Sequence, residues 1–177
     1  TIINYHEADL AWVSDFDGGG VTSIFAGEAN SFEQFAVEAR AITKFDSPVN
    51  FVLGAYYQNT DRAFNQDVIF AFIQWTGPIA DPNDEFTAYN KESGTDGETW
   101  SVYGEVIWDI TDRLELAAGA RYIEETKDSW FIQPYVNPAF TGLFIPSPPN
   151  DPLTRAAADQ TFDDVIPEVT LTYTLSD

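Results

Sequence analysis

The amino-acid sequence predicts an all-β fold: an antiparallel meander of about six transmembrane strands, with short periplasmic turns and long extracellular loops, forming part of a larger outer-membrane β-barrel. Three observations carry this expectation. Apolar and polar residues alternate with a period of two over long runs, tight turns alternate with long connections, and aromatic residues mark both ends of the apolar face.

The clearest hairpin is SVYGEVIWDITDRLELAAGARYIEE at 101–125. Before its turn, Trp100, Val102, Gly104, Val106, Trp108 and Ile110 share one face, while Ser101, Tyr103, Glu105, Ile107 and Asp109 share the other. After it, Leu114, Leu116, Ala118, Ala120 and Tyr122 repeat the apolar face, opposite Glu115, Ala117, Gly119 and Arg121. The turn spans Ile110 to Arg113, where Thr and Asp side chains can satisfy local backbone donors.

A second hairpin, at 32–59, turns at Asp46-Ser47-Pro48, since Pro48 has a fixed φ and no ladder hydrogen to give. Phe35, Val37, Ala39, Ala41, Thr43 and Phe45 fall on its apolar side with Val49, Phe51, Leu53, Ala55 and Tyr57. The other side takes Gln34, Glu38, Arg40 and Lys44 from one strand, and Asn50, Gly54, Tyr56, Gln58 and Thr60 from its partner. A one-residue slip would move every charge to the apolar side, so the register is strongly specified.

Two flanking strands complete the count, one at the amino terminus with poor alternation and one near the carboxy terminus with good alternation. The expected strands are thus approximately 1–12, 32–45, 49–60, 100–110, 114–126 and 162–175. Pro167 is expected at a loop end or a bulge, because it cannot donate to a ladder. The connections from 13, 61 and 127 are long and rich in Gly, Pro, Asn and Asp, as in DFDGGG at 15–20, GPIADPNDEF at 77–86 and IPSPPNDP at 145–152.

Face assignment follows from solvation. Phe45, Phe51, Trp108 and Tyr173 lie at the short-turn ends, and Tyr57, Trp100 and Tyr122 at the long-loop ends, with only Val, Leu, Ile, Ala, Gly and Thr between them on that parity. Such a band suits lipid, whereas Glu38, Arg40, Lys44, Glu105, Glu115 and Arg121 on the opposite parity require a wet or plugged lumen. Two other readings share the alternation: a passive porin-like or adhesin-like barrel, and a soluble extracellular β-sandwich binding module. Loop asymmetry and strand length favour the barrel over the sandwich, whose strands average about 5–6 residues.

Composition narrows the partners. A formal net charge of −21, from 29 acidic and 8 basic residues, would repel a phosphate backbone, so no nucleic acid is expected. Cysteine is absent, which removes disulfides, thiolate metal sites and a Cys nucleophile. Residues Thr1 to Asp9 have none of the marks of a secretory signal, and the chain stops at Ser176-Asp177 in mid-pattern, so an internal segment is expected. No apolar run is long enough for a spanning helix, and the mean hydropathy of −0.21 is compatible with a barrel, whose alternation averages out.

The stretches AVEARAIT, FVLGAYYQNTD, WSVYGEVIWDITDRLELAAGARYIEETKD and FDDVIPEVTLTYTLSD together resemble the barrel of a TonB-dependent receptor. The carrying positions are Glu38 and Arg40, Gly54 to Tyr57, Tyr103 to Glu105, Thr111-Asp112, and Gly119 to Tyr122. The resemblance covers nearly the whole chain, weakly in 1–31, and its motifs are architectural. It implies location in the bacterial cell outer membrane and active uptake of a scarce small-molecule ligand, siderophore-, corrinoid- or oligosaccharide-like. It also implies further partners: a plug domain not present in this chain, the remaining barrel strands, outer-membrane lipid, and a TonB-type energising protein reached through regions absent here. Residues 1–177 are accordingly expected to form one partial β-barrel domain, with no cofactor and no enzymatic activity.

Six residues are candidate lumen ligands: Glu38, Arg40, Tyr56, Tyr103, Glu105 and Arg121. In the drawn registers Glu38 lies across from Tyr56, Arg40 from Gly54, Tyr103 from Arg121 and Glu105 from Gly119. A lattice of ion pairs that stiffens the wall or seats a plug is the plainer expectation for them. The acidic loops at 15–18 and 81–85 offer oxygen ligands for calcium but lack EF-hand spacing, so solvated loops are expected. His6 stands alone and supports neither a triad nor a zinc site. Phe64, Phe70, Phe72, Trp75, Trp130, Phe131, Tyr135 and Phe140 are expected to pack the long loops over the barrel mouth; a ligand-catching surface is the other use open to them.

Overall fold

A computed structural model describes residues 1–21, 23–75, 77, 82–140, 142–144 and 156–175. The chain forms one six-stranded sheet in sequence order, β1 (Ile2–Asp15), β2 (Ile24–Ile42), β3 (Val49–Phe70), β4 (Thr87–Thr111), β5 (Leu114–Ile132) and β6 (Ala156–Tyr173), each neighbour antiparallel. Short 3-10 turns occupy Pro82–Glu85 and Pro138–Phe140. No second sheet packs across this one among the described residues, as a sandwich would require.

The expected registers hold. Glu38 pairs with Tyr56, Arg40 with Gly54, Tyr103 with Arg121 and Glu105 with Gly119. At the first turn the Asn50 Oδ1 accepts the Phe45 N–H at 2.8 Å, and the Thr43 N–H donates to the Phe51 carbonyl at 3.0 Å. At the second, Thr111 Oγ1 accepts the Arg113 N–H at 3.3 Å, and a bulge between Asp109 and Thr111 leaves Ile110 unpaired.

Strand ends differ from the sequence expectation at the long-loop side. β2 begins at Ile24 rather than near 32, β3 runs to Phe70 rather than 60, β4 starts at Thr87 rather than 100, β5 reaches Ile132 and β6 starts at Ala156. β1 likewise continues to Asp15. The physical reason is that alternation reports a change of solvent across the sheet, whereas pairing needs only hydrogen bonds. Above the apolar band both faces meet polar surroundings, so the pattern fades while the ladder continues. Cross-strand polar pairs hold it there, including Thr95 Oγ1 with Ser129 Oγ at 3.0 Å and the Asn90 amide donating to Asp67. At the other side β2 ends at Ile42 and β6 at Tyr173, slightly earlier than expected.

Pro167 is a second correction: it pairs with Ala120 in the middle of β6, and the β5–β6 register passes through it without a bulge. The Thr174 N–H donates to the Arg113 carbonyl at 3.0 Å, and counting by twos from that pair puts Pro167 at a non-hydrogen-bonded position, so its missing donor takes no bond from β5.

The apolar parity is bare on the sheet's outer face. Leu53 is 62% exposed, Val102 49% and Trp108 45%, although all lie in central strands. A contiguous apolar surface of this kind marks a membrane or a partner. From Trp108 to Trp100 the strand covers about 26 Å, at about 3.3 Å per residue. Tilted by about 40°, that is about 20 Å of membrane, and the flanking rings extend it toward the apolar band of about 25 Å found in such barrels. At the upper edge the polar tips find carboxylates. Tyr57 Oη donates to Glu98 at 3.0 Å, and Trp100 Nε1 donates to Glu124 at 3.2 Å. Rings in an apolar layer with wet tips are the arrangement found at membrane–water interfaces.

The buried core is small and lies at the long-loop end. Ala26, Val68, Ala88, Val136 and Phe140 cluster there, with Ile24, Phe70, Ile73, Tyr89 and Phe144 against them. The segment after β5 reaches this cluster because Val136 bridges to Tyr89, and Asn137, fully buried, donates to the Thr87 carbonyl at 3.1 Å.

Candidate functional site

The six lumen candidates meet on the concave inner face, around one open concavity that Val52, Gly104, Gly119 and Glu168 also line. Three successive rows of cross-strand partners build it: Glu38–Tyr56–Ser101, then Arg40–Gly54–Tyr103–Arg121, then Val52–Glu105–Gly119–Glu168. Directly paired residues of an antiparallel sheet share a face, so the placement follows from register alone.

Within it, Tyr103 leans from β4 across Gly54 of β3, and its hydroxyl donates to Glu38 Oε1 on β2 at 2.5 Å. A Cβ on Gly54 would lie 2.6 Å from Tyr103 Cε1, so only glycine leaves room for the ring. The residue that fills the glycine gap is therefore Tyr103, from β4, although Arg40 pairs with Gly54 from the other side. At Gly119 the space is taken by backbone: a Cβ there would meet the Gly104 carbonyl oxygen at 2.7 Å and Glu105 Cα at 3.1 Å.

Arg121 lies toward β4. Its Nε donates to Ser101 Oγ at 3.0 Å, and its guanidinium sits 5.6 Å from the Tyr56 ring centroid and 5.9 Å from that of Tyr103. Tyr56 Oη in turn donates to Gln58 Oε1 at 2.5 Å. Arg40 and Glu105 line the concavity without a hydrogen-bond partner among the described residues. The expected lattice of ion pairs is not what forms. Among the described residues the ion pair is Lys127 with Glu125 at 2.7 Å, higher on the wall, and the lumen charges are linked through hydroxyls instead. Geometry explains this: Tyr103 and Ser101 stand between Glu38 and Arg121, and Gly54 and Gly119 bring no charge to their rows.

Sequence reasoning missed Ser101, which is 1% exposed under Arg121; its polar parity was legible but a serine there has no distinguishing signal. It also missed Arg62, Lys91 and Gln66, because residues assigned to loops carry no face. The β3–β4 pairing puts all three on the inner face, with Arg62 opposite Thr95 and Gln66 opposite Lys91.

The loop at 15–18 is closed by its own carboxylates. Asp17 accepts the N–H groups of Gly19 at 2.9 Å, Ser23 at 2.6 Å and Ile24 at 2.9 Å, and Asp15 Oδ1 accepts that of Asp17 at 3.0 Å. These bonds, that from Gly19 first, hold the Asp17 carboxyl below the usual carboxylate range. Of the other acidic loop, Asp81 lies outside the described residues, as does 145–152. His6 faces the Phe32 ring at 5.9 Å.

Of the loop aromatics, Phe70 packs edge-on against Phe140 at 4.9 Å and stacks on Phe72 at 5.7 Å, and the Tyr135 hydroxyl donates to the Asp84 carbonyl at 3.4 Å. These hold the loops over the inner side of the sheet. Phe64 and Phe131 instead remain on the inner wall.

Residues 2–177 match the family model described as TonB dependent receptor-like, beta-barrel. Among solved structures, the ferric yersiniabactin uptake receptor FyuA from Yersinia pestis superposes at TM-score 0.67 and 21% identity, over 99% of this chain and 23% of that one. The ferric citrate transporter FecA in its unliganded form gives TM-score 0.56 and 12% identity, over 99% of this chain and 22% of that one. At these identities the likeness concerns the fold, and this chain spans less than a quarter of the length of either. No curated protein matches. A family match over nearly every residue, on an all-β meander with a lipid-suited outer face and a polar inner one, places the chain in the TonB-dependent receptor β-barrel family.

Proposed function

We propose that this chain is a wall segment of a bacterial outer-membrane receptor that takes up a scarce small-molecule ligand, siderophore-, corrinoid- or oligosaccharide-like. The single observation that carries the reading is the two-faced sheet. Its outer face carries an apolar band bounded by Tyr57, Trp100 and Trp108, and its inner face carries the Glu38–Tyr103 and Arg121–Ser101 bonds. Uptake would require regions outside this chain: a plug domain in the lumen, the strands that close the barrel, and contact with a TonB-type energising protein. Six strands form a wall, while closed barrels begin at about 8 and plugged transporters use about 22.

In this reading Glu38, Arg40, Tyr56, Tyr103, Glu105 and Arg121 face the plug or the ligand path. Arg40 and Glu105, whose side chains make no hydrogen bond among the described residues, are the groups most available to either. The family is one of transport receptors, and catalysis has no place in the proposal.

The test is uptake by the complete gene product in a strain where its energising partner can be depleted. Accumulation of a ferric siderophore, a corrinoid or an oligosaccharide that stops on depletion supports active uptake. Accumulation that continues unchanged would instead identify a passive porin-like barrel and sink the proposal.

A further inference from the structure

Above the level of Tyr57 and Trp100 the strand residues sort by charge. Outward, one carboxylate per strand lines up in a single row, Glu7–Glu33–Asp61–Asp96–Asp128–Asp159, each paired with the next. No lysine or arginine faces outward from these strand segments. The three cations there, Arg62, Lys91 and Lys127, all take the inner parity. Among the described strand residues the inner face holds two carboxylates at this height, and each has a partner. Glu28 accepts from Gln66 Nε2 at 2.5 Å, and Glu125 pairs with Lys127 at 2.7 Å. Arg62 and Lys91 are left with no ion-pair partner among the described residues.

These two cations share one concavity with Phe64, Ser93, Thr95 and Phe131. Lys91 Nζ lies 5.5 Å from the Phe64 ring centroid, Phe64 and Phe131 both pair with Ser93, and Phe131 is 38% exposed. The net charge of −21 does not decide what this wall attracts. The outer acidic row projects from the opposite face of the sheet, and charges reached through solvent are screened over a Debye length of about 8 Å at physiological salt. Local sign prevails, and it is positive beside two aromatic faces. Arg62 offers a fork suited to a carboxylate, and Lys91 a point charge.

We infer that the inner wall above the membrane, at Arg62, Lys91, Phe64 and Phe131, is a binding site for an anion that carries a flat apolar portion, such as an aromatic carboxylate. The inference rests on the uptake reading, since it assigns a ligand class to the mouth of the same lumen.

The experiment uses the complete receptor in detergent micelles, titrated with 2-naphthoate, with neutral 2-naphthalenemethanol and with cationic 2-naphthyltrimethylammonium. Saturable binding is expected for 2-naphthoate, weakening as salt is raised. R62Q/K91Q should weaken it at least tenfold while leaving the neutral probe unchanged, R62K/K91R should retain it, and the outward D61N should have no effect. Heat-modifiable mobility identifies folded variants, and F131A, which keeps both charges, should weaken both naphthoate and the neutral probe. Equal binding of all three probes, or R62Q/K91Q binding naphthoate like the unaltered receptor, would overturn the inference. Loss of energised uptake with naphthoate binding intact would tell against the uptake reading alone, and the converse against the anion site alone.

Discussion

A methyl group on Gly54 tests the lumen network at its tightest point. In G54A the new Cβ would lie 2.6 Å from Tyr103 Cε1 and closer still to the ring's tip, over a strand pair whose backbone cannot retreat. The ring must lift, and its hydroxyl leaves Glu38 Oε1, 2.5 Å away. Overpacking of this kind costs about 1–3 kcal/mol. The part-buried hydrogen bond adds about 0.5–1.5 kcal/mol, and reduced backbone entropy of the unfolded chain returns about 0.4–1 kcal/mol. The expected net loss is about 2–3 kcal/mol. It should be specific to the ring: in a Y103A background the atoms nearest the new methyl group are gone, so the two changes should couple by about 2 kcal/mol, within the range seen for contacting residues. The assay is the urea midpoint for loss of heat-modifiable mobility by the complete receptor in micelles, for G54A, Y103A and the double variant. Equal cost of G54A in both backgrounds would refute the packing argument.

Three further outcomes are expected. L53K places a charge on the bare outer face near mid-membrane and should destabilise the folded receptor in liposomes by about 2–4 kcal/mol, whereas V52K, one residue away on the lumen face, should cost much less. N137A removes the donor to the Thr87 carbonyl and the acceptor of the Ala139 N–H, both at the buried loop anchor. Leaving that carbonyl unsatisfied costs about 1–3 kcal/mol locally, so hydrogen exchange should rise across 133–140 while the membrane strands keep their protection. Asp17 is held below its ordinary pKa in the folded loop, so its contribution is fully present above the ordinary carboxylate pKa of about 3.9 and is lost only as pH falls through the lower folded value. Protection factors at the Gly19, Ser23 and Ile24 amides, taken after division by the intrinsic pH-dependent exchange rate, should therefore be flat from neutral pH down to about 4 and fall below it, and in D17A they should be low throughout.

The amino-acid sequence by itself determined parity, register and which way the hairpins face. In β2–β5 every charged residue between the aromatic levels keeps the lumen side, and a period of two admits one assignment, so Glu38, Tyr103, Glu105 and Arg121 could be placed on one wall before any coordinates. The short turns were legible for a local reason, because the Ser47 and Thr111 hydroxyls each accept the N–H two residues on, from Val49 and Arg113. Tertiary structure decided the rest. The strand extensions above the membrane, from Thr60 to Phe70 and from Thr87 to Thr99, lack a solvent difference across the sheet and so carry no alternation to read. Arg62 and Lys91 belong to those extensions, and only the β3–β4 pairing brings them to one face. Diagonal reach was equally hidden: Tyr103 crosses to Glu38 because Gly54, on the strand between them, has no side chain, and Arg121 donates to Ser101 although Glu105 and Glu168 line the same concavity. Alternation records which solvent each side chain meets; which side chain it touches is set by the strands beside it.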